Sequence, residues 1–240
     1  MKQFAKTLMA LTPYRIVRDR GANRFQAIEV CLRSMKERGF LPKVVVDGGA
    51  HVGAFSLAAK KIFPAARFHL VEPQPACTRP LRALCASEGF VLHECALANH
   101  VGEVSLAQTA GPNTGAHVKP DGGNGTVNVP ASTLDTLFAH LITSAHRTLL
   151  KLDLQGYELQ ALRGGSGVLP SVEVLLTEVS FFARAYEPPI AVLIAFLEVS
   201  GFQLYDIAAL AGRTRDNRLH HGDLMFVRKG SPLLEDSRWQ

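Results

Sequence analysis

The stretch that most constrains this chain is Val44-Val45-Val46-Asp47-Gly48-Gly49-Ala50-His51-Val52-Gly53. Three β-branched residues run into an acid, glycines crowd the turn, and a helix-like segment follows. Strand, tight turn and helix N-terminus in that order build a place for a nucleotide or nucleoside. A second apolar run, Phe68-His69-Leu70-Val71, ends in Glu72. Its separation from Asp47 is near the roughly 20 residues expected between a glycine turn and an acid that holds ribose hydroxyls.

The turn is selective about its ligand. A dinucleotide fingerprint ending at Gly53 requires glycines at 48 and 50, and 50 is Ala. A carboxylate beside the turn repels a diphosphate and suits a ligand with an amino group. Asp47, Gly49 and Gly53 instead fit Asp-x-Gly-x-x-x-Gly, the opening motif of S-adenosylmethionine methyltransferases. The plain alternative is a glycine turn that only lets a helix pack on a sheet. Glu72, in register, weighs against it.

At 240 residues the chain is expected to form a single domain, residues 1–240, led by an N-terminal helical segment, 1–42. Hydrophobic residues make up 47% and charged residues 20%, which allows a sizeable core. Cys31, Cys77, Cys85 and Cys95 form no C-x-x-C pair. Reduced thiols in a cytoplasmic protein are therefore expected, rather than a disulfide frame or zinc site. The formal charge is +5, with Arg15, Arg18, Arg20, Arg24, Arg33, Lys36, Arg38 and Lys43 clustered early. Such a set attracts nucleic acid, anionic lipid or phosphorylated substrates. No aromatic residues interleave with it as a stacking platform requires, so the solvated face of a helix is the favoured reading. Nucleic acid is thus not the expected partner. Met1–Leu11 reads as a short amphipathic helix, because Lys6 and Thr7 interrupt its apolar stretch. The apolar run Ile190–Leu197 is far short of the about 20 residues a membrane span needs.

The periodicity predicts a helix over 22–38, with Phe25, Ile28, Cys31, Leu32 and Met35 on one face. Strand 43–47, helix Val52–Phe63, strand 66–72, a helix from Pro73 or Pro75 to Glu88 and strand 90–97 follow. This alternation argues for a parallel sheet with right-handed crossovers. Residues 99–132 break the rhythm. Glu103–Gln108 and Thr126–Pro130 read as strands of an inserted hairpin, around a Gly-, Asn- and Pro-rich loop. That loop is either a substrate cover or a plain connection. Further on come helix Thr133–Ser144, strand Thr148–Asp153, helix Gln155–Arg163 and strand 172–179. A helix opened by Pro188 or Pro189 and strands Phe202–Ala208 and Asp223–Arg228 complete the chain, with a polar loop over Arg213–His221.

Several phrases, in order from Val44 to Val227, resemble the FkbM family of S-adenosylmethionine-dependent methyltransferases. They are Val46–Gly53, Val71-Glu72-Pro73, Ala96-Leu97, Thr133-Leu134-Asp135 and, most specifically, Leu150-Lys151-Leu152-Asp153-Leu154-Gln155-Gly156-Tyr157-Glu158. The resemblance implies a Rossmann-like class I methyltransferase: a seven-stranded, mostly parallel sheet with the last strand antiparallel and helices on both faces. It also implies methyl transfer from S-adenosyl-L-methionine to a hydroxyl of a saccharide or other small hydroxylated metabolite. Asp47, Gly49, Ala50, His51, Gly53 and Glu72 then form the cofactor set. His51 stands where the family commonly has Asn, and still offers a hydrogen bond to the methionine part. No side chain among Glu94, Cys95 and Ala96 is an obvious adenine contact.

A hydroxyl acceptor must lose its proton, and a carboxylate at a strand's carboxyl end can take it. Asp153 is the first candidate, as base, substrate contact or metal ligand; capping the helix that follows is the competing role. Gln155 and Glu178 are candidate substrate contacts. Glu158 is expected on the helix, neutralising backbone or Lys151. His220 and His221, beside Asp223, read as an exposed loop rather than a metal site. The phrase Asp153-Leu154-Gln155-Gly156 lacks the Pro-Pro-aromatic clamp of base N-methyltransferases, which favours an oxygen acceptor. Alternatives are an RNA methyltransferase using the basic N-terminal segment, a non-catalytic cofactor-binding subunit and, weakest, a nicotinamide oxidoreductase.

Overall fold

The computed structural model describes residues 24–107, 111–182 and 187–235. The expectations placed on Met1–Leu11, on Arg15, Arg18 and Arg20, on Gln108 and on the Phe25 side chain lie outside them.

Helix α1 (Arg24–Glu37) buries Ile28, Leu32 and Met35, the spacing of one helical face. Strand β1 (Val44–Gly48) is buried throughout, as a strand covered on both sides must be. Helix α2 (Ala54–Ile62), strand β2 (Arg67–Val71), helix α3 (Pro75–Glu88) and strand β3 (Val91–His93) complete the first half. Pro75 pre-sets the backbone at the start of α3, and Gly89 closes it in the left-handed conformation.

The insertion holds β4 (Ala96–Leu97), β5 (Gly102–Ala107), β6 (His117–Val118) and β7 (Thr126–Ser132). Then come α4 (Leu134–Phe138), β8 (Thr148–Leu152), α5 (Glu158–Arg163), β9 (Val172–Ser180), α6 (Ile190–Val199), β10 (Phe202–Arg213) and β11 (Leu219–Arg228).

The main sheet has seven strands in the order β10-β11-β9-β8-β1-β2-β3. Pairs β1–β2, β1–β8, β2–β3 and β8–β9 are parallel, whereas β11 runs antiparallel to both β9 and β10. This is the class I methyltransferase arrangement that the family resemblance implies. Alternate side chains divide between the two faces. Val45, Leu149, Val174 and Met225 join α1, α2 and α3 in one core. Val46, Leu150, Leu175 and Phe226 join α4, α5 and α6 in the other. The strand order reverses between β1 and β8, and ligands of open α/β sheets bind at the carboxyl ends beside such a reversal.

Several boundaries depart from expectation. The anticipated strand 90–97 is two strands, β3 in the main sheet and β4 in a second sheet, separated by Glu94 and Cys95. The anticipated hairpin is that second sheet, four-stranded in the order β4-β7-β5-β6, with its own core of Val104, Leu106, Val118 and Val129. Two-residue strands carry no periodic signal, so β4 and β6 could not be read. Helix Thr133–Ser144 shrinks to α4, capped by the Thr133 hydroxyl accepting from the Thr136 amide at 2.9 Å. The anticipated loop 213–221 is shorter: β10 and β11 extend to Arg213 and from Leu219, leaving a turn over 214–218 in which Thr214 N–H donates to the Arg218 carbonyl. His220 and His221 therefore lie on β11. The expected solvated face of α1 is also partly engaged. The Arg24 guanidinium turns inward, Lys36 donates to the Ile62 carbonyl at 2.7 Å and Arg38 to the Leu233 carbonyl at 2.9 Å.

Gly49 is left-handed (φ 72°), and a Cβ there falls 1.9 Å from the Asp153 carbonyl oxygen. Gly49→Ala is expected to lose roughly 1–3 kcal/mol to strain and a similar amount to overpacking. A urea melt reads this as a lowered midpoint; an unshifted midpoint would show that the turn relaxes freely.

Candidate functional site

The glycine turn is held from below by a buried charge network. Asp47 is fully buried. One of its oxygens accepts from the Ser56 hydroxyl at 2.7 Å and the other from Lys151 Nζ at 2.8 Å. Lys151 also donates to the carbonyls of Gly48 (3.2 Å) and Gly49 (2.9 Å), with its ammonium 5.6 Å from the centre of the Phe55 ring. Burial works against the Lys151 charge, but Asp47 and Asp153 outweigh it and raise its pKa. The turn is tied from above as well: Gly49 and Ala50 N–H both donate to the Val71 carbonyl.

A cavity of about 320 Å³ opens over this turn, at the carboxyl ends of β1, β2 and β8. That is within the range of small-ligand and cofactor pockets. Gly49, Ala50, His51, Glu72, Asp153 and Gln155 all border it. Glu72 is 4% exposed and accepts from the backbone amides of His51 (2.7 Å) and Gln74 (3.0 Å). Burial pushes its pKa up, partly opposed by those two amides. His51 is left-handed (φ 50°), and its Nε2 is buried with no hydrogen-bond partner. Cys95, Ala96 and Leu97 border the cavity on the far side. The insertion reaches over it: Asn113 N–H donates to Gln74 Oε1 at 3.1 Å, and Ala116 and Val118 line the wall.

Two candidates stand behind the wall rather than in it. Asp47 faces Lys151 and Ser56. Gly53 begins α2 at φ 83°, where a Cβ would fall 2.2 Å from the Leu84 side chain, so glycine there serves helix packing.

Asp153 does not cap α5. That helix begins at Glu158, with Gln155 (φ 54°) and Gly156 (φ 100°) holding the turn before it. Glu158 ties the turn, accepting from the Leu154 amide at 2.6 Å and the Gly156 amide at 3.3 Å. Burial pushes the Glu158 carboxyl up to about 7. Asp153 instead meets Arg24 at 3.1 Å and the Gln155 side-chain amide at 2.8 Å. That same amide donates to Glu178 at 2.8 Å. Burial alone would raise the Asp153 pKa, but Lys151 and Arg24 together hold it below the usual carboxylate range. Glu178 moves the other way, pushed up to about 9 by burial and by Asp153. The two acids thus differ widely in proton affinity. Arg24 bridges Asp153, Glu178 and Asp223, its pKa raised by these carboxylates against the opposing effect of burial.

Sequence reasoning missed Lys151 as the clamp of the turn and Arg24 as the hub of the acids. The signal for Lys151 was present: a lysine inside the apolar strand Leu149–Leu152 must find a carboxylate. For Arg24 there was none, because its partners lie just past β8 and on β9 and β11, far along the chain. Among the described residues no group of three or more His, Cys, Asp or Glu is arranged to hold a metal ion, and no helix is long and apolar enough to cross a membrane.

The residues fit a nucleoside cofactor with an amino-acid tail: a close turn, a carboxylate at the end of β2 and an imidazole nitrogen without a partner. Comparison with known proteins identifies the family. Residues 47–204 match the methyltransferase FkbM domain. Among curated proteins none matches the chain. A methyltransferase FkbM from Methylobacillus flagellatus shares 17% identity (TM-score 0.48), over 76% of this chain and 43% of that one. The chain thus spans under half the length of that protein. A precorrin-6y C5,15-methyltransferase from Geobacter metallireducens shares 15% identity (TM-score 0.46; 85% of this chain, 89% of that one). Fibrillarin from Aeropyrum pernix, in complex with S-adenosyl-L-methionine, shares 13% (TM-score 0.47; 85% and 76%). With the domain match running from the acid of the glycine turn into β10, the chain belongs to the FkbM family of S-adenosylmethionine-dependent methyltransferases.

Proposed function

We propose that the chain transfers a methyl group to a hydroxyl of a saccharide or another small hydroxylated molecule. The observation that carries this reading is that Glu72 and Asp153 border one cavity, at the carboxyl edge of the sheet. S-adenosylmethionine, when bound, supplies a methyl group on a sulfonium. The chain supplies binding, alignment and a proton acceptor. Glu72 would hold the ribose hydroxyls, its carboxylate already fixed by the two backbone amides. His51 would meet the methionine part through Nε2. Gly49 and Ala50 leave room for close approach, while Asp47 and Lys151 act indirectly by holding the turn in shape.

Asp153 is the base in this reading. Its depressed pKa keeps it ionised but makes it a weak base, sufficient to take the proton once bond formation to the methyl group has acidified the hydroxyl. Glu178 and Gln155 would then face the acceptor. The RNA alternative loses support, because Arg24, Lys36 and Arg38 are committed to contacts within the fold.

Three outcomes are expected. In calorimetry with S-adenosylhomocysteine, Glu72→Ala should weaken binding on the order of tenfold or more, the scale of hydrogen bonds to a charged group. Unchanged affinity would reject the cofactor placement. Asp153→Asn should lower the rate of methyl transfer by about 10²–10⁴-fold with that affinity retained. A variant as active as the parent would remove Asp153 from the chemistry. Glu178 has a folded pKa of about 9, above its ordinary value. The stability contribution from its protonated form is therefore full below about 4.5, declines as pH rises from there and is gone above about 9. Thermal melts across that range should fall more steeply for the parent than for Glu178→Gln; parallel curves would contradict the raised pKa.

A further inference from the structure

The main sheet ends at β3, a strand of three residues. Past it, Glu94 and Cys95 carry the chain out of that sheet and into the second one at β4. The point of departure bears directly on the first cavity. The His93 carbonyl accepts the Glu72 amide at 3.1 Å, and Cys95, Ala96 and Leu97 border the cavity a few residues later. Whatever fixes His93 therefore fixes the backbone of Glu72 and the start of the far wall.

The backbone ladder at this point is short: Val91, Leu92 and His93 pair with His69, Leu70 and Val71 of β2. A side-chain tie adds to it. His69 lies opposite Val91, and residues two apart on a strand share a face, so the His69 and His93 rings meet diagonally across the pair. His69 Nδ1 stands 3.2 Å from His93 Nε2, with the ring planes 25° apart. The Phe138 ring of α4 is near perpendicular to both, its centre 5.8 Å from one and 5.3 Å from the other. Burial lowers the pKa of both imidazoles, His69 to about 4; His140 adds to the effect on both, and His93 and Arg67 to that on His69. The neighbouring carboxylate, Glu94, is turned to Arg82 of α3 at 2.6 and 2.9 Å. At neutral pH one uncharged ring therefore donates its N–H and the other accepts.

We propose that His69 and His93 are positioning residues for the cofactor: the hydrogen bond between their rings fastens the place where the chain leaves the main sheet, so that Glu72 and the Cys95–Leu97 wall hold their geometry. Neither histidine borders the cavity. Both act through the backbone that does. The inference rests on the cofactor reading given above, with Glu72 as the ribose acid.

The test is calorimetric, on the full chain at neutral pH, with S-adenosylhomocysteine as probe. His69→Leu and His93→Leu keep an apolar contact for Phe138 but remove the bond. Each should weaken binding about fivefold, the scale of one neutral hydrogen bond. The double variant should be no weaker than either single one, because both remove the same interaction. His93→Gln, whose amide reaches the place of Nε2, should restore affinity to within about twofold of the parent. In the parent chain labelled with ¹⁵N at histidine, His69 Nδ1 and His93 Nε2 should show a scalar coupling through their shared proton, a reading that needs no variant to fold. Leucine variants that bind like the parent, losses that add in the double variant, a glutamine variant as weak as the leucine one, or rings without that coupling would each overturn the inference. A parent chain that does not bind S-adenosylhomocysteine, with the coupling present, would sink the cofactor reading instead.

Discussion

Everything at the site depends on one buried ammonium group. Lys151 rises from the middle of the sheet into the reversal of strand order and meets Asp47 together with the carbonyls of Gly48 and Gly49. Removing either partner of a buried pair leaves an uncompensated charge, which costs about 3–5 kcal/mol. The pair therefore fixes the turn more firmly than glycine alone can. It also explains why Asp47, the acid that first draws the eye in the sequence, is not in the cavity wall. Its influence reaches the ligand through the backbone it holds.

The same lysine links structure to proton chemistry. Together with Arg24 it keeps Asp153 ionised, although the surroundings of Asp153 disfavour charge. Asp153 in turn helps drive Glu178 toward its protonated form. Two carboxyls joined through one glutamine amide are thus pushed in opposite directions. Separation of this kind is how a site assigns an acceptor and a reservoir of protons to chemically similar groups.

Much of the fold was legible because long, covered strands leave a plain mark. Val44–Val46, Leu149–Leu152 and Val172–Val179 are apolar runs of strand length between turn residues, and all three are strands. The glycine turn and Glu72 were legible because their chemistry is local. The insertion was not, since β4 pairs with β7 through two residues only. His220 and His221 were misread as loop because polar residues on the exposed end of a hairpin look like one. The acid cluster was half legible: Asp153 and Glu178 stand at strand ends, but Asp223 and Arg24 join them only through tertiary packing.

The bridge from Asn113 to Gln74 bears on how fast the enzyme can turn over. A neutral peptide-to-amide bond of this sort contributes about 1 kcal/mol, so it yields to thermal motion. The strip from Asn113 to Val118 hangs from β5 through β6, a two-residue strand. It can swing without disturbing the β5–β7 ladder. A stiffer latch at this point would trade speed of ligand exchange for retention.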